Sequence, residues 1–414
     1  MLQPERTIYI GIDLHKNHHT ACIIDCWGKK LGEIKVENKP SAYPSFMNEL
    51  KKYSKKNTTA VFGLEDVRNY GKSLSRFLVE QKKIVKEVNP ALSSARRNSK
   101  PIPQKDDSWD AECVAKVLRD EFEALPDAKP LDVYWAINQL SNTRKGLLKN
   151  MTATVFRLHQ RISNHYPSYR KFFGHVDGKT ALLFWETYPS PSYLKHSSPE
   201  EIGVFIKQIR SPLTLEKAIA KGASILEMVH ADGATEIQFQ EQQNVIVRSL
   251  VSSIRNSQQE IEVLDRELKS LIKDLGFKLE TMIGLDWVTV SSLISEIGDI
   301  HRFPSPKKLA MYAGIAPVVF GSGKKVKNLK NYLGNRELYM MFRNLAIKQI
   351  TVQKGRDQAN NPYLFAYFEG KIKAGKTRQQ AYVCVMRKLV NVIFSLMMSK
   401  NAYVVPAIEQ KQAG

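Results

Sequence analysis

The chain of 414 residues is long enough for two or three domains, each with its own hydrophobic core. Its 62 Lys and Arg residues outnumber its 41 Asp and Glu residues, and the formal net charge of +21 points to a polyanionic partner, most simply nucleic acid. The sequence carries no run of about 18 apolar residues, no signal-peptide core, and no zinc or disulfide pattern among its four cysteines. We therefore expect a cytoplasmic, nucleoid-associated protein with no membrane contact.

The first 125 residues alternate strand and helix patterns. The segments IYIGIDLHKNHHTACIID (8–25) and KKLGEIKVENK (29–39) predict a three-stranded meander, and the following helices and strands predict an α/β sheet covered by helices. Asp13 ends the first strand and Glu65 ends the strand in TTAVFGLED, and the two strands can be neighbours in one sheet. A carboxylate at the end of an apolar strand is paired, protonated or bound to a metal ion, unless it lies at the strand's mouth and caps the turn.

The helix predicted for DDSWDAECVAKVLRDEF (106–122) opens with acids. Asp107 and Asp110 are three residues apart and share one face, although acids in a first turn also suit the helix dipole without any further role. The preceding residues 82–105 are strongly basic, and we assign four of them to nucleic-acid binding: Arg96, Arg97, Lys100 and Lys105. Carboxylates that hold one or two Mg²⁺ ions beside cations that hold a phosphate backbone are what metal-dependent phosphodiester chemistry requires.

The middle segment, residues 126–275, is predicted to be helical. From Val247 to Leu275 apolar residues recur at steps of three and four over about four heptads, which indicates a coiled coil that would pair subunits. A helix packed on its own domain is the alternative. Residues 167–235 give no pattern that assigns them a place.

The last segment, residues 276–414, contains the stretch GSGKKVKNLK (321–330), which we predict to be a flexible basic loop that contacts phosphates. Its spacing does not match a nucleotide-hydrolase phosphate loop. The basic residues assigned here to nucleic-acid binding are Lys324, Lys325, Lys327, Lys330 and Arg336. Upstream, MIGLDWVTVSSLISEIGD (282–299) looks like a helix-hairpin-helix element in which Asp286 replaces the usual second glycine.

Two groups of motifs, in the same order, resemble those of a known family. YIGIDLHK, GLED and KDDSWDA, followed by YAGIAP, SG at 322–323 and GN at 334–335, resemble the DEDD-type insertion-sequence transposases, the Piv-like or bridge-RNA-guided recombinases of the insertion-sequence one-ten family. The resemblance implies an RNase H-like, RuvC-like N-terminal domain. By the same resemblance, the metal-binding acids are Asp13, Glu65, Asp107 and Asp110, and the nucleophile is Ser322. Asp66 and Asp106 are adjacent alternatives.

The sequence departs from the family pattern in two respects near the second motif group. Tyr339 follows Leu338 where the family usually has an arginine, and basic residues lie farther from Gly334 than usual. These departures concern which cations contact the scissile phosphate. They leave the order of the motifs unchanged.

The predicted fold is therefore α/β plus all-α, with three parts. These are an RNase H-like catalytic domain (1–125), a helical linker and coiled coil (126–275), and a mainly helical transposase domain with the catalytic serine (276–414). The resemblance implies donor and target DNA, a non-coding guide RNA, and dimers that join into tetramers. We predict a DNA recombinase or transposase of a mobile element. The alternatives are a protein-only Piv-like invertase, a RuvC-like Holliday-junction endonuclease that uses only the acids and water, and an inactive nucleic-acid scaffold.

Overall fold

The computed structural model of the protein describes residues 3–54, 57–65, 70–99, 106–130, 132–210, 212–322, 325–329, 331 and 334–406. The chain forms two compact units. The first, called here the sheet unit, comprises Met1–Ala136 and Gly298–Pro304. The second, called the helical unit, comprises Ile137–Ile297 and Ser305–Gly414.

The sheet unit is built on a five-stranded sheet with the strand order β3-β2-β1-β4-β5. Its strands are β1 (Thr7–Leu14), β2 (His18–Ile24), β3 (Lys30–Glu37), β4 (Thr59–Glu65) and β5 (Ile84–Glu87). Strands β1, β2 and β3 pair antiparallel, whereas β4 runs parallel to β1 and β5 runs parallel to β4. The predicted meander and the neighbouring positions of the strands that carry Asp13 and Glu65 are confirmed.

Helices cover both faces of this sheet. They are α1 (Tyr43–Leu50), α2 (Lys72–Glu80), α3 (Pro90–Arg97) and α4 (Asp107–Asp120). Successive side chains of a strand point to opposite faces, so β1 contributes alternate residues to two cores. Ile10 packs in the core that contains residues of α1 and α2, and Tyr9 packs in the core that contains residues of α4. Asp13 therefore lies on the α4 side of the sheet.

A glycine in β1 lets α4 lie directly on the sheet. A Cβ atom at Gly11 would lie 2.1 Å from the backbone nitrogen of Ala115 and 2.3 Å from the carbonyl oxygen of Ala111. No side chain fits into that space, and the atoms in the way belong to the helix backbone, which cannot rotate aside. Gly11 thus sets how close α4 comes to the strand that ends in Asp13.

The rest of the chain is mainly helical. Its helices are α5 (Val133–His165), α6 (Lys179–Thr187), α7 (Pro199–Ile209), α8 (Leu215–Asp232), α9 (Gln240–Leu275), α10 (Trp287–Ile297), α11 (Pro306–Tyr312), α12 (Arg336–Ile350), α13 (Pro362–Lys373) and α14 (Arg378–Ser399). Residues 167–235, which the sequence left without a place, supply α6, α7 and α8. They contribute an aromatic core in which Phe172 stacks on Trp185, with ring centroids 5.9 Å apart.

Helices α5 and α9 run antiparallel within the helical unit. Arg144 forms an ion pair with Asp265, and farther along Arg161 donates a hydrogen bond to Gln243. The apolar stripe of α9 is buried at Val247, Val251 and Ile254, and these residues belong to the core of the same unit. Over these residues, the stripe has the burial expected of a helix packed on its own domain, the alternative to a coiled coil between subunits.

Helix α14 is the most apolar element of the helical unit. It has 22 residues, includes a window of 18 residues with a mean hydropathy of 1.5, and is the one helix among the described residues long and apolar enough to cross a membrane. The segment TRQQAYVCVMRKLVNVIFSLMMSK predicts a strongly apolar helix, although Arg387 and Lys388 interrupt its apolar residues. Inside the protein, 44% of that stretch is buried, and the helix packs against α11, α12 and α13. Such burial is typical of a core helix.

The predicted flexible loop at residues 321–330 was wrong for the part that the structure describes. Strands β6 (Val318–Ser322) and β7 (Lys325–Leu329) pair antiparallel as a hairpin. The segment VVFGS opens with two valines and a phenylalanine, and KVKNL contains one further valine, and these residue types favour strands in spite of the flanking charges.

Candidate active site

Two of the predicted acids are brought together by the register of the sheet. Asp13 in β1 and Glu65 at the end of β4 are direct partners in the parallel pair. Residues at equivalent positions of neighbouring strands point to the same face, so both carboxylates lie on the side covered by α4. The side chain of Glu65 is only 9% exposed and that of Asp13 is 19% exposed. Such burial makes a cationic partner necessary for each of them.

The start of α4 brings the other two acids to the same edge. Asp106 is the N-cap residue, and its Oδ1 accepts a hydrogen bond of 2.6 Å from the backbone N–H of Trp109. Because this cap fixes the first turn, Asp107 and Asp110 follow on the helix itself, directly beside the strand ends. We call Asp13, Glu65, Asp107 and Asp110 the acid centre.

One half of the acid centre includes a histidine. His15 Nε2 lies 2.9 Å from Asp13 Oδ2 and 3.3 Å from Asp107 Oδ1. One ligand atom from each of these three residues lies within 4.8 Å of the others. His18 flanks the group, with its Nε2 3.7 Å from Asp107 Oδ2. Neither histidine is among the predicted site residues. The cluster of histidines in DLHKNHH (13–19), beside Asp13, is the sequence feature that could have indicated them.

The other half of the acid centre is bridged by Arg97. Its Nη1 and Nη2 atoms each donate to one oxygen of Glu65 over 3.4 Å, and Nη1 lies 3.6 Å from Asp110 Oδ1. The sequence predicted Arg97 as a nucleic-acid contact. In this structure its guanidinium group neutralises the two carboxylates instead.

Burial, together with the proximity of the other acids, raises the pKa of two of these carboxylates. Burial is the largest cause for Asp13, and the negative charges of Asp110 and Asp107 add to it, while His15 opposes the shift. Burial is also the largest cause for Asp110, and Glu65 adds to it, while Arg97 opposes the shift. Carboxylates that raise the pKa of one another are stabilised when a cation binds among them.

The donor set fits a hard divalent cation such as Mg²⁺. Carboxylate oxygens are the ligands that Mg²⁺ prefers, whereas the imidazole of His15 is a donor that suits transition metals, so the fit to Mg²⁺ depends on the carboxylates. A buried oxygen atom without a hydrogen-bond donor also supports the binding of a cation at the acid centre. The Oδ1 atom of Asp110 is buried and accepts no hydrogen bond, and Arg97 is its cationic neighbour among the described residues. A buried oxygen of this kind is stabilised by a bound cation.

The predicted nucleic-acid contacts have different environments. Arg96 pairs with Asp120 over 2.9 Å, and the guanidinium of Arg336 lies 5.0 Å from the ring centre of Tyr339. Lys325 and Lys327 belong to strand β7. The others, together with the alternative acid Asp66, lie outside the described residues: Lys100, Lys105, Lys324 and Lys330.

The predicted nucleophile, Ser322, is the last residue of β6. Its backbone pairs with Lys325 at the start of β7, so it lies at the end of the hairpin where the chain passes from one strand to the other. A two-stranded hairpin has little stability of its own. The position of Ser322 therefore depends on the contacts that fix the base of the hairpin.

The base of that hairpin is held by a contact that we call the glycine–asparagine clamp, formed by Gly314, Gly334, Asn335, Tyr312 and Glu296. A Cβ atom at Gly334 would lie 2.3 Å from the Cα of Gly314, which itself has a φ of +68°. The N–H of Asn335 donates to the carbonyl of Tyr312 over 2.7 Å, and its side-chain nitrogen donates to Glu296 over 2.7 Å. The Asn335 side chain also caps α12.

The contacts of the clamp give a structural role to several residues of the second motif group. Gly314 and Tyr312 belong to YAGIAP, and Gly334 and Asn335 form the GN pair. Asp286, which replaces the expected glycine upstream, accepts a hydrogen bond of 2.8 Å from the N–H of Thr289 at the start of α10. This bond lowers the pKa of Asp286. Its carboxylate therefore has a capping function that glycine could not provide.

Two models of known protein families match the two regions of the chain that contain the motifs. Residues 10–167 match a family model of the DEDD type described as "Transposase", and residues 277–362 match a model described as "Transposase IS116/IS110/IS902 family". The chain belongs to this transposase family. The first matched range contains the whole acid centre, and the second contains Ser322 and the clamp. The resemblance to this family and the prediction of a DNA transposase or recombinase are confirmed.

Individual relatives of this transposase are distant in sequence. It is 20% identical over 402 residues to the insertion element IS116 uncharacterized 44.8 kDa protein of Streptomyces clavuligerus, and the match covers 96% of each chain. It is 22% identical over 406 residues to the insertion element IS110 uncharacterized 43.6 kDa protein of Streptomyces coelicolor, over 96% and 95% of the two chains. The pilin gene-inverting protein of Moraxella lacunata is 28% identical over 173 residues, which are 40% of this chain and 52% of that protein.

Proposed function

We propose that this transposase cuts and rejoins the DNA of a mobile insertion sequence, with Mg²⁺ bound at the acid centre and Ser322 as nucleophile. The observation that carries the proposal is the convergence of four carboxylates, from β1, β4 and the first turn of α4, at one edge of a sheet. The strand order and this placement of acids support an RNase H-like, RuvC-like fold for the sheet unit. One or two Mg²⁺ ions would offset negative charge at the scissile phosphate.

The chain's own residues have separate roles in this proposal. Asp13 and Asp107 hold Mg²⁺, with His15 between them, and Glu65 and Asp110 complete the set. Asp107 is preferred over Asp106, because the Oδ1 of Asp106 is already engaged in the helix cap. The basic residues of the chain hold the phosphate backbone.

The proposed covalent step balances without an energy source. The Oγ atom of Ser322 attacks the phosphorus and loses its proton, the bond from phosphorus to a sugar oxygen breaks, and that oxygen takes up a proton. One phosphodiester is exchanged for another, so a second sugar hydroxyl can reverse the step and rejoin the strand. Attack by water would instead leave a free break.

The net charge of the protein and its family resemblance are the basis for the proposed binding partners. We propose donor and target DNA as substrates, a non-coding guide RNA as the element that selects them, and homodimers that join into tetramers. The formal charge of +21 supports contact with both nucleic acids through their backbones. We also propose that a coiled coil pairs the subunits and that the protein associates with the nucleoid. The proposed domains are residues 1–125, 126–275 and 276–414.

The serine mechanism is tested with a nicked suicide DNA substrate. We expect a covalent protein–DNA complex that survives denaturing electrophoresis, requires Mg²⁺, and disappears in Ser322→Ala while DNA binding is retained. Ser322→Cys is expected to keep a trace of the complex. Mapping of the adduct to Tyr332, or a fully active Ser322→Ala protein, would contradict the mechanism, and the second result would favour a Holliday-junction endonuclease.

The acid centre is tested with Asp13→Ala, Glu65→Ala and Asp110→Ala. Each is expected to abolish strand exchange but to leave nucleic-acid binding nearly intact, because the acids hold metal and the cations hold phosphate. Asp107→Ala is expected to have a larger effect than Asp106→Ala. Loss of nucleic-acid binding together with activity would assign these acids a structural role.

A protein-only DNA invertase is the second candidate. The similarity to the pilin gene-inverting protein of Moraxella lacunata favours it. Sequencing the RNA that co-purifies with the protein separates the two. A single enriched, structured RNA supports guidance, and a plasmid inversion assay that succeeds with RNA-free protein supports the invertase.

A further inference from the structure

The acid centre is divided into two carboxylate pairs with different counter-groups. Asp13 and Asp107 flank the imidazole of His15, whose Nε2 lies 2.9 Å from Asp13 Oδ2 and 3.3 Å from Asp107 Oδ1. Glu65 and Asp110 flank the guanidinium of Arg97, which carries a positive charge at every physiological pH. The second pair therefore has a permanent cation between its carboxylates, whereas the first pair has an imidazole there.

The contacts of Arg97 are longer than those of a tight ion pair. Charge-assisted hydrogen bonds between nitrogen and oxygen are typically about 2.8 Å long. Arg97 reaches both oxygens of Glu65 over 3.4 Å and Asp110 over 3.6 Å. The guanidinium group thus neutralises both carboxylates without closing a short bond to either of them, so it can be exchanged for another cation.

Arg97 also has an alternative partner of matching geometry. It is the last residue of α3, its side chain is 26% exposed, and Lys100 and Lys105 follow it in the sequence. A planar guanidinium binds a phosphate with two parallel hydrogen bonds, as it does a carboxylate. A backbone phosphate and the Glu65–Asp110 pair therefore compete for the same group.

We propose that Arg97 couples nucleic-acid binding to metal binding. Without nucleic acid, it holds Glu65 and Asp110; with nucleic acid bound, its guanidinium transfers to a backbone phosphate and releases both carboxylates to a divalent cation. Arg97 is a positioning residue in the first state and a phosphate contact in the second. This inference rests on the proposed function, because it assumes that the acid centre binds metal.

The neighbouring residue provides a matched control. Arg96 belongs to the same helix, but it pairs with Asp120, which is outside the acid centre. Removal of Arg96 deletes the same charge one residue away without freeing either carboxylate of the second pair. A difference between the two variants therefore isolates the bridging contact from the general effect of charge.

The test measures binding of Mn²⁺, a spectroscopic substitute for Mg²⁺, to the full chain by electron paramagnetic resonance of the free ion. Without nucleic acid, we expect Arg97→Ala to bind Mn²⁺ about tenfold more tightly than the unaltered protein, a coupling of ordinary size. Arg97→Gln, which keeps a polar side chain, is expected to shift affinity in the same direction. Arg96→Ala is expected to show no change.

Nucleic acid supplies the second arm of the test. A short DNA duplex, or an RNA duplex in a parallel experiment, is expected to tighten Mn²⁺ binding to the unaltered protein by a similar factor. It is expected to leave Arg97→Ala unaffected, because that variant has no bridging group to withdraw. The duplex that produces the effect identifies whether a DNA or an RNA phosphate receives the guanidinium.

The outcomes separate this inference from the function on which it rests. If Arg97→Ala and Arg97→Gln bind Mn²⁺ no more tightly than the unaltered protein, or if nucleic acid tightens binding equally in all variants, the coupling is wrong. If Asp13→Asn and Asp107→Asn leave Mn²⁺ binding unchanged, the metal site itself is wrong. A loss of Mn²⁺ binding in these two variants, combined with no response to Arg97, contradicts only the coupling.

Discussion

The acid centre and the glycine–asparagine clamp use their motif residues in opposite ways. In the sheet unit, the acids of the motifs are the proposed metal-binding groups, and Gly11, which belongs to YIGIDLHK, holds them in place together with the strand register. In the helical unit, most motif residues form the frame, and Ser322 is the single residue with a proposed chemical role. The comparison shows that a motif residue can contribute either chemistry or position, and only its contacts distinguish the two.

The sheet unit is expected to fail first at its close helix contact. Gly11→Ala places a Cβ atom 2.1 Å from the backbone of α4, and we expect a loss of about 3 kcal/mol in the free energy of unfolding. Gly63→Ala is the control, since its Cβ would meet only side chains, at 3.1 Å, and we expect about 1 kcal/mol. Urea unfolding of both variants measures the difference. Equal losses would show that the distance between helix and sheet is not set at Gly11.

The clamp is expected to be nearly as sensitive, with a different functional consequence. Gly334→Ala forces apart Gly314 and Gly334, and we expect a loss of about 2 kcal/mol in stability. The covalent DNA complex should be lost while Mn²⁺ binding is retained. Gly146→Ala, in the middle of α5 with nothing within 4 Å of the added Cβ, should be neutral or slightly stabilising. Loss of metal binding in Gly334→Ala would contradict the division of roles.

Replacement of Asn335 in the clamp is expected to lower the free energy of unfolding by a smaller amount. Two variants divide this loss between the helix cap and the bond to Glu296. Asn335→Ala removes both the cap of α12 and the bond to Glu296, and we expect a loss of about 1.5 kcal/mol. Asn335→Ser keeps a capping oxygen but not the bond to Glu296, so its loss should be about half as large. Thermal unfolding separates the two. Identical values would mean that the bond to Glu296 contributes nothing.

The smallest expected effect concerns the segment Gly298–Pro304, which belongs to the sheet unit. Burial opposes ionisation of Asp299, but hydrogen bonds from Lys129 and His301 outweigh it and lower its pKa from 3.8 to about 2. A lowered carboxyl pKa adds stability above about pH 4, and this stability is lost as the pH falls from 4 towards 2.

Asp299→Asn should therefore cost about 1 kcal/mol at pH 7, a value discounted for the exposure of Lys129, and the difference from the unaltered protein should shrink below pH 4. Asp127→Asn is the control, because its carboxylate is 73% exposed in its pair with Lys86, and no measurable change is expected. Unfolding at a series of pH values tests both variants. A difference that is constant down to pH 3 would contradict the role of the Asp299 charge.

Much of the sheet unit could be predicted because its signals are local. The alternation of apolar residues predicted the strands, and the acids at their ends predicted the edge at which Asp13 and Glu65 meet. His15 was missed although histidines cluster at positions 15, 18 and 19, because such a cluster does not by itself distinguish site residues from residues of a turn. The bridge by Arg97 could not be predicted either, because it depends on where α3 lies beside α4, a contact between segments that periodicity does not report.

The helical unit was harder to predict for the same physical reason. The hairpin at Ser322 was taken for a loop because its few strand-favouring residues lie beside glycines and lysines. The burial of the stripe on α9 depends on α6, α7 and α8, which the sequence did not place. The contact between Gly314 and Gly334 joins residues twenty positions apart through backbone atoms, and such a contact leaves no mark on side-chain patterns.

Helix α14 has a consequence for how the chain is made. Its buried face packs against α11, α12 and α13, and all three precede it in the sequence. During synthesis, the surface that shelters this apolar helix has therefore left the ribosome before the helix emerges. A chain that stops before Arg378 leaves that surface uncovered, so early termination would yield a protein prone to aggregate even though the acid centre and Ser322 are present.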